Sequence, residues 1–580
     1  AAERANFVTS ANLKLGDNWE AYGDLFFSNE DTNSAFTPAS LSSGSYVLTP
    51  ATGGAAAVSN ILPATNPSAR GGIATPINYA FLDNGRRDTI TISNAWRVTA
   101  GIKGTFLGWD VDGGYGHSED HVSFEGRNYV NAESLTADIA NGSYNFLNPL
   151  STPAGAAGLN ITDAYRAVSK LDTVDVKGSG RLFDLPGGPM KMAIGAEFRH
   201  ESEDQPGDPD AALLLSTGFV RVVADRSVWA VFGEFDFPIL KSLDADIAIR
   251  EEHYGDVGST GVKPQYTLKY TPFQQLTLRA SYAQGFRAPS LEEASNSTLL
   301  SNSTVNDALD PQGRPTENVG NITSGNPNIK PETSKNLNLG VTVNPVDNVT
   351  LSADFYNLWL YNVIAGSATP QQVIDDPGAF PPGSLVRAAD GTAIYTITSY
   401  SNQFEINTSG IDLAGNYTFP LAVGGRVNVG LGATYVNKFQ INQAGVWRNF
   451  TGQNGWDYDS PIAGGGPVPH WKGSLNAGWA NDTGLSAGAT MRYTAGYQNS
   501  LTVFDQVTTQ VNVASFTAFD LNAEYKVKNW DFRLSVLNVL NRYPPYDSAA
   551  MLDSPEGDPY DPFTYDDLGR AIDLHVKFSL

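Results

Sequence analysis

Apolar and polar residues alternate along much of this chain with a period of two. Leu276, Leu278, Ala280 and Tyr282 are interleaved with Thr277, Arg279, Ser281 and Ala283, the pattern of an extended strand with one apolar and one polar face. Met192, Ile194, Ala196 and Phe198 alternate in the same way with Lys191, Glu197 and Arg199, and Phe519, Leu521, Ala523, Tyr525 and Val527 with Asp520, Asn522, Glu524 and Lys526. At the end Ile572, Leu574, Val576, Phe578 and Leu580 share one face, opposite Asp573, His575, Lys577 and Ser579.

Alternation alone fits a soluble sandwich as well as a membrane barrel. Run length and spacing separate the two. About nineteen strands are expected, over 6–14, 17–29, 86–104, 108–119, 171–183, 189–203, 226–237, 242–253, 262–271, 275–285, 333–343, 348–361, 395–419, 425–440, 470–480, 484–497, 516–527, 530–540 and 571–580. Most reach the length a tilted strand needs to cross a bilayer. Tight connections such as Gly16-Asp17-Asn18, Leu107-Gly108 and Lys528-Asn529 have turn chemistry. They alternate with long stretches over 30–85, 121–170, 287–331, 362–394, 442–469 and 541–570. The fold class expected is therefore all-β, a transmembrane antiparallel β-barrel with short periplasmic turns and long extracellular loops. Leu534 and Val576 should face lipid, and Arg533 and Lys577 the lumen.

Composition narrows the function. The chain has 580 residues, no Cys and a formal charge of −24, which disfavours nucleic acid as a partner. No change of composition marks a domain boundary, so 1–580 reads as one barrel domain. It has no run of eighteen apolar residues and therefore no helical span. Phosphate-loop and nucleophile-elbow motifs are missing. The six histidines are scattered apart from the pair in His117-Ser118-Glu119-Asp120-His121, which lacks zinc-helix spacing and reads as polar strand surface. No enzyme, metal or cofactor is expected. A secreted multi-domain β-sandwich hydrolase is the reading from another class.

Two elements interrupt the pattern. Gly285-Phe286-Arg287-Ala288-Pro289-Ser290 ends one strand, and Asn326-Pro327-Asn328-Ile329-Lys330-Pro331-Glu332 opens the next after a long loop. Pro289 and Pro331 cannot donate to a ladder, so both suit a rim where pairing stops or starts. Lys330 and Glu332 are placed to pair with neighbours there. With "TSGIDLAGNYTF" (408–419), "FTAFDLNAEYKV" (516–527) and "WDFRLSVLNVLNRYPPY" (530–546), these elements resemble the barrel of TonB-dependent outer-membrane receptors from about 270 onwards. Before 270 the likeness is mostly pattern.

The resemblance implies a receptor in the outer membrane of a Gram-negative bacterium, bathed in outer-membrane lipid. It would bind a scarce nutrient at its loops and import it with energy from the TonB–ExbB–ExbD complex. A surface lipoprotein is a further candidate partner. The chain departs from the family at its start, where "AAERANFVTS" shows no signal peptide, TonB box or plug domain. Barrels of this kind normally have an even strand number with both ends in the periplasm. Nineteen strands lead to the expectation that the plug and three of twenty-two strands lie in a companion N-terminal segment.

Ligand contacts are expected from Trp447, Trp456, Tyr458, Tyr497, Tyr546, Tyr560 and Tyr565, with Arg287 and Arg492 as anion partners. The alternative is that these aromatics sit in the interfacial girdle or pack loops together. Aromatic faces and acidic loops favour a glycan or other neutral nutrient. A siderophore, ferric-chelate or cobalamin receptor of the same family and a passive porin-like barrel are the alternatives.

Overall fold

The computed structural model describes residues 2–42, 45–49, 54–153, 158–208, 210, 213–215, 219–311, 313, 317–388, 391–421, 424–454, 466–503, 506–553, 559–562, 564–566 and 568–579. Among them, nineteen long strands form the wall: β1 (Ala2–Lys14), β2 (Trp19–Phe36), β3 (Arg87–Phe106), β4 (Trp109–Val130), β5 (Asn160–Leu185), β6 (Gly188–Gln205), β7 (Phe219–Leu240), β8 (Leu243–Tyr254), β9 (Lys263–Phe273), β10 (Leu276–Arg287), β11 (Glu332–Val346), β12 (Val349–Gly366), β13 (Ala393–Pro420), β14 (Arg426–Gln443), β15 (Trp471–Ala480), β16 (Leu485–Thr494), β17 (Phe516–Val527), β18 (Trp530–Leu537) and β19 (Ala571–Phe578). Each pairs antiparallel with the next in sequence. Shorter strands bring the sheet to 24.

Register fixes the two faces. Leu534 stands opposite Leu574 and Phe532 opposite Val576, while Arg533 faces His575 and Asp531 faces Lys577. Leu534 is 44% and Val576 49% exposed, as an apolar surface meant for lipid must be. Aromatics mark both ends of this outward face. At the tight-turn end Trp530 stacks on Phe532 and meets Phe578, and Tyr417 stacks on Phe419. Towards the loop end lie Trp96, Trp229, Trp359 and the pair Tyr435 and Trp471.

The strand expectations hold for position, and the structure extends several upper ends. β4 runs on to Val130, β5 starts at Asn160, and β13 has 28 residues. Beyond Glu119 the outward positions His121, Ser123 and Glu125 are polar, so pairing continues without the apolar alternation that announces it. Described parts of the long stretches also carry packed structure of their own. Segments around 39–81 and 130–159 share a core of fully buried Leu41, Leu62, Phe81, Leu135, Tyr144 and Leu159. Tyr144 donates to Asp83 at 2.8 Å, and its oxygen lies 2.9 Å from the Tyr79 hydroxyl. Helix α1 (Ala132–Asn141) closes this module, capped by the Asn131 side chain and ended by Gly142 at φ 74°, a left-handed position suited to glycine. Within 287–331 a hairpin of Thr298–Val305 and Glu317–Ser324 lies parallel to the stem of β13, with Gly320–Ser324 on Tyr395–Ser399. Intact-cell proteolysis should therefore spare Thr298–Val305, and a cut there would contradict this packing.

β1 is exposed along its whole length and β19 along all but its first residue. Among the described residues no pairing joins these two strands.

Candidate ligand-binding mouth

The end of β10 is tied to the start of β11 by side chains of the two interrupting elements. Arg287, opposite Glu332 in the ladder, reaches Glu293 at 2.9 and 3.1 Å and Glu332 at 2.7 Å. Ser290 caps the short helix α2 (Leu291–Ala294), and the Glu293 carboxylate accepts from the Ser290 amide in a capping box. The Pro289 carbonyl accepts from Arg226 at 2.7 Å. Asn326 donates to the Tyr400 carbonyl at 2.9 Å, the Lys330 amide to Asn402 at 3.0 Å, and the Ile364 amide to Glu332 at 2.8 Å. A side chain on Gly325 would lie 2.1 Å from the Ser295 carbonyl, so glycine is required by close approach. These residues fasten four strand ends at the rim.

Beside this knot the inner wall carries an ion network. Arg199 holds Glu197 and Glu201 at 2.7 Å and Glu252 at 3.0 Å, and donates to the Tyr254 hydroxyl at 2.8 Å. Arg250 reaches Glu252 at 2.6 Å, and Arg226 reaches Glu201 at 2.8 Å and Asp256 at 3.3 Å. Tyr254 lies under the Arg226 guanidinium at 4.9 Å and edge-on to Phe286 at 6.4 Å. The Arg226 side chain is 9% and that of Glu252 8% exposed. The sequence reading missed this network, although Glu197-x-Arg199-x-Glu201 and Arg250-x-Glu252 sit on the polar face at period two.

The proposed contacts scatter. Arg287 is committed to Glu293 and Glu332, and Arg492 grips Asp520 with two bonds of 2.7 and 2.9 Å. Both guanidiniums are thus engaged within the wall, which alters the expectation that they await an anion. Trp447 lies on the outward side, opposite Asn442 and edge-on to Trp359 at 5.8 Å. Tyr497 and Tyr565 are buried in one cluster with Val513, and Tyr560 packs against it. Tyr497 donates to Asp547 at 3.2 Å. Tyr546 is 64% exposed. Trp456 and Tyr458 lie outside the described residues. His117 and His121 flank Glu119 on the outer surface, with His117 2.7 Å from Asp172. Among the described residues no group of three or more His, Asp or Glu is arranged to hold a metal.

One carboxyl group departs from ordinary ionisation. Asp163, near the extracellular start of β5, is 4% exposed, and one of its oxygens has no hydrogen-bond partner. Burial, then a hydrogen bond donated to Asp208 and the charge of that carboxylate, push it up to about 8. Because its folded value lies above the unfolded one, its contribution is complete below about pH 4 and lost as pH rises through about 8. Protection of the Leu215 amide, which bonds the Val130 carbonyl at 3.0 Å, should fall across that window after correction for intrinsic exchange. Asp208→Asn should narrow the window, leaving the part due to burial. Unchanged dependence in that variant would contradict the pairing.

The wall agrees in fold with known proteins. The family model described as TonB dependent receptor-like, beta-barrel, matches residues 21–539. The siderophore receptor PirA from Acinetobacter baumannii superposes with a TM-score of 0.58 at 13% identity, over 100% of this chain and 71% of that one. The outer membrane transporter YddB from Escherichia coli gives 0.58 at 14% identity, over 100% and 75%. The FrpB iron transporter from Neisseria meningitidis gives 0.55 at 12%, over 99% and 72%. At these identities the likeness is one of fold. No curated protein matches the sequence. With the family model covering most of the wall, the chain belongs to the TonB-dependent receptors of the Gram-negative outer membrane, as their β-barrel.

Proposed function

We propose that this barrel is the outer wall of an energised importer that takes up a scarce, neutral or cationic nutrient. The observation that carries the substrate class is the pairing of the rim arginines. Arg199, Arg226, Arg250, Arg287 and Arg492 are each held by carboxylates, in a chain of net charge −24. An anionic chelate would have to break such pairs to gain a counter-charge, whereas a neutral ligand such as a glycan would not. A second reading, import of a ferric siderophore, is favoured by the fold neighbour named as a siderophore receptor.

In this reading the TonB–ExbB–ExbD complex acts on a plug within the lumen. The plug and further strands come from chain that pairs with the free edges of β1 and β19. Unpaired edges in lipid would leave rows of N–H and C=O groups unsatisfied, which supports added strands. Uptake of a labelled neutral oligosaccharide and a labelled ferric siderophore, with and without an uncoupler, tests the proposal. Uncoupler-sensitive oligosaccharide uptake is expected. Uptake of the siderophore alone would select the second reading, and uncoupler-insensitive uptake would make the barrel a passive pore.

A further inference from the structure

The outward face carries a cluster that neither ligand capture nor wall pairing uses. On β11, β12 and β14, Lys335, Trp359 and Lys438 lie on the lipid-facing side, with Trp359 opposite Lys335 and Lys438 opposite Ser409. Trp359 and Tyr361 stack at 6.2 Å and 8°. The Lys335 ammonium stands 5.3 Å from the Tyr361 ring and that of Lys438 5.5 Å from Trp359. Trp447 closes the side of Trp359.

Height places the cluster. The tight turn before Val349 opens β12, and outward Leu351 and Phe355 follow, 50% and 37% exposed. Trp359 lies eight residues above Leu351, on the order of 27 Å along a strand and about 20 Å along the normal at a usual tilt. That is the upper border of the apolar band, where headgroups of the outer leaflet begin. Among the described residues neither ammonium has a carboxylate within ion-pair distance, whereas Lys103, Lys170, Lys177 and Lys526 are paired. On the same face Glu405 is higher up and accepts from Asn442. Two uncompensated ammoniums, each shielded on one side by a ring, remain with their other donors free for an anion.

We propose that Lys335, Lys438 and the Trp359–Tyr361 pair form a binding site for a phosphorylated lipid headgroup of the outer leaflet. The lysines take the phosphate as point charges, and the rings and Trp447 lie against the adjoining sugar or glycerol and upper acyl carbons. The site is independent of the nutrient carried.

The test uses the detergent-purified intact receptor, titrated with diphosphorylated lipid A, its dephosphorylated form or inorganic phosphate, with bound lipid counted by native mass spectrometry. Lys335→Gln and Lys438→Gln should each weaken retention of diphosphorylated lipid A about fivefold, and together about twenty-five-fold, for ~1 kcal/mol per headgroup-level lysine. Inward-facing Lys577→Gln should leave it unchanged. Unshifted heat-modifiable gel mobility would show that the variants still fold. Equal retention by the double variant, equal binding of dephosphorylated lipid, or displacement by inorganic phosphate alone would each overturn the site.

Discussion

Leu534→Arg is expected to destabilise the folded barrel by about 2 to 4 kcal/mol, whereas Ser535→Arg, one residue on, should cost far less. Leu534 lies four residues above Trp530 of the lower girdle, which puts it near the middle of the apolar band. It faces Leu574 and is 44% exposed. Arg there must carry its charge into hydrocarbon or bend towards the interface. Ser535 points inwards opposite Asp573, where an added guanidinium meets polar groups. Urea titration of both variants refolded into lipid vesicles measures the difference. Equal costs would mean that the two faces have been assigned wrongly.

Arg199→Met should cost about 3 to 5 kcal/mol. Its side chain is 16% exposed and serves three carboxylates from β6 and β8 together with the Tyr254 hydroxyl. Removing it leaves Glu197, Glu201 and Glu252 sharing the charge of Arg226 and Arg250. The loss should shrink at acidic pH, where the carboxylates take up protons. A loss below 1 kcal/mol would make the network a solvated surface array. Lys577→Arg, on the same face but near the last turn, is a control that should stay within about 0.5 kcal/mol.

These two sites differ in how far the sequence reveals them. Leu534 is plain from alternation, because a lipid face must be apolar at every second position. The nineteen strands follow from that constraint. It lapses above the bilayer, so the upper parts of β4 and β5 and the Thr298–Val305 hairpin leave no periodic trace. Their order comes from long-range cores such as Leu41 with Leu135. The rim motif was visible as Gly285 to Ser290 and Asn326 to Glu332. What it ties was not, since Arg226, Tyr400 and Asn402 come from other strands.

Side-chain direction was the weakest inference. Trp447 follows a turn with Ala444 at φ 51° and Gly445 at φ 87°, which brings it back opposite Asn442 and turns it outwards. Composition could mark it as an aromatic but not settle whether it meets ligand or lipid. Arg287 and Arg492 were visible as cations, and their charge was already taken by Glu332 and Asp520.

The most direct test concerns the two edges of the wall. The chain has no cysteine, so pairs can be introduced without background in cells making the intact receptor. Ala5 and Asn29 face each other in the β1–β2 ladder and, as cysteines, should oxidise to a cross-link. If further strands stand between these edges, as proposed, cysteines scanned along Ala2–Lys14 against cysteines along Ala571–Phe578 should give none. A register of cross-links between β1 and β19, with the Ala5–Asn29 control intact, would show that the nineteen strands close on themselves and would contradict the proposed completion of the barrel.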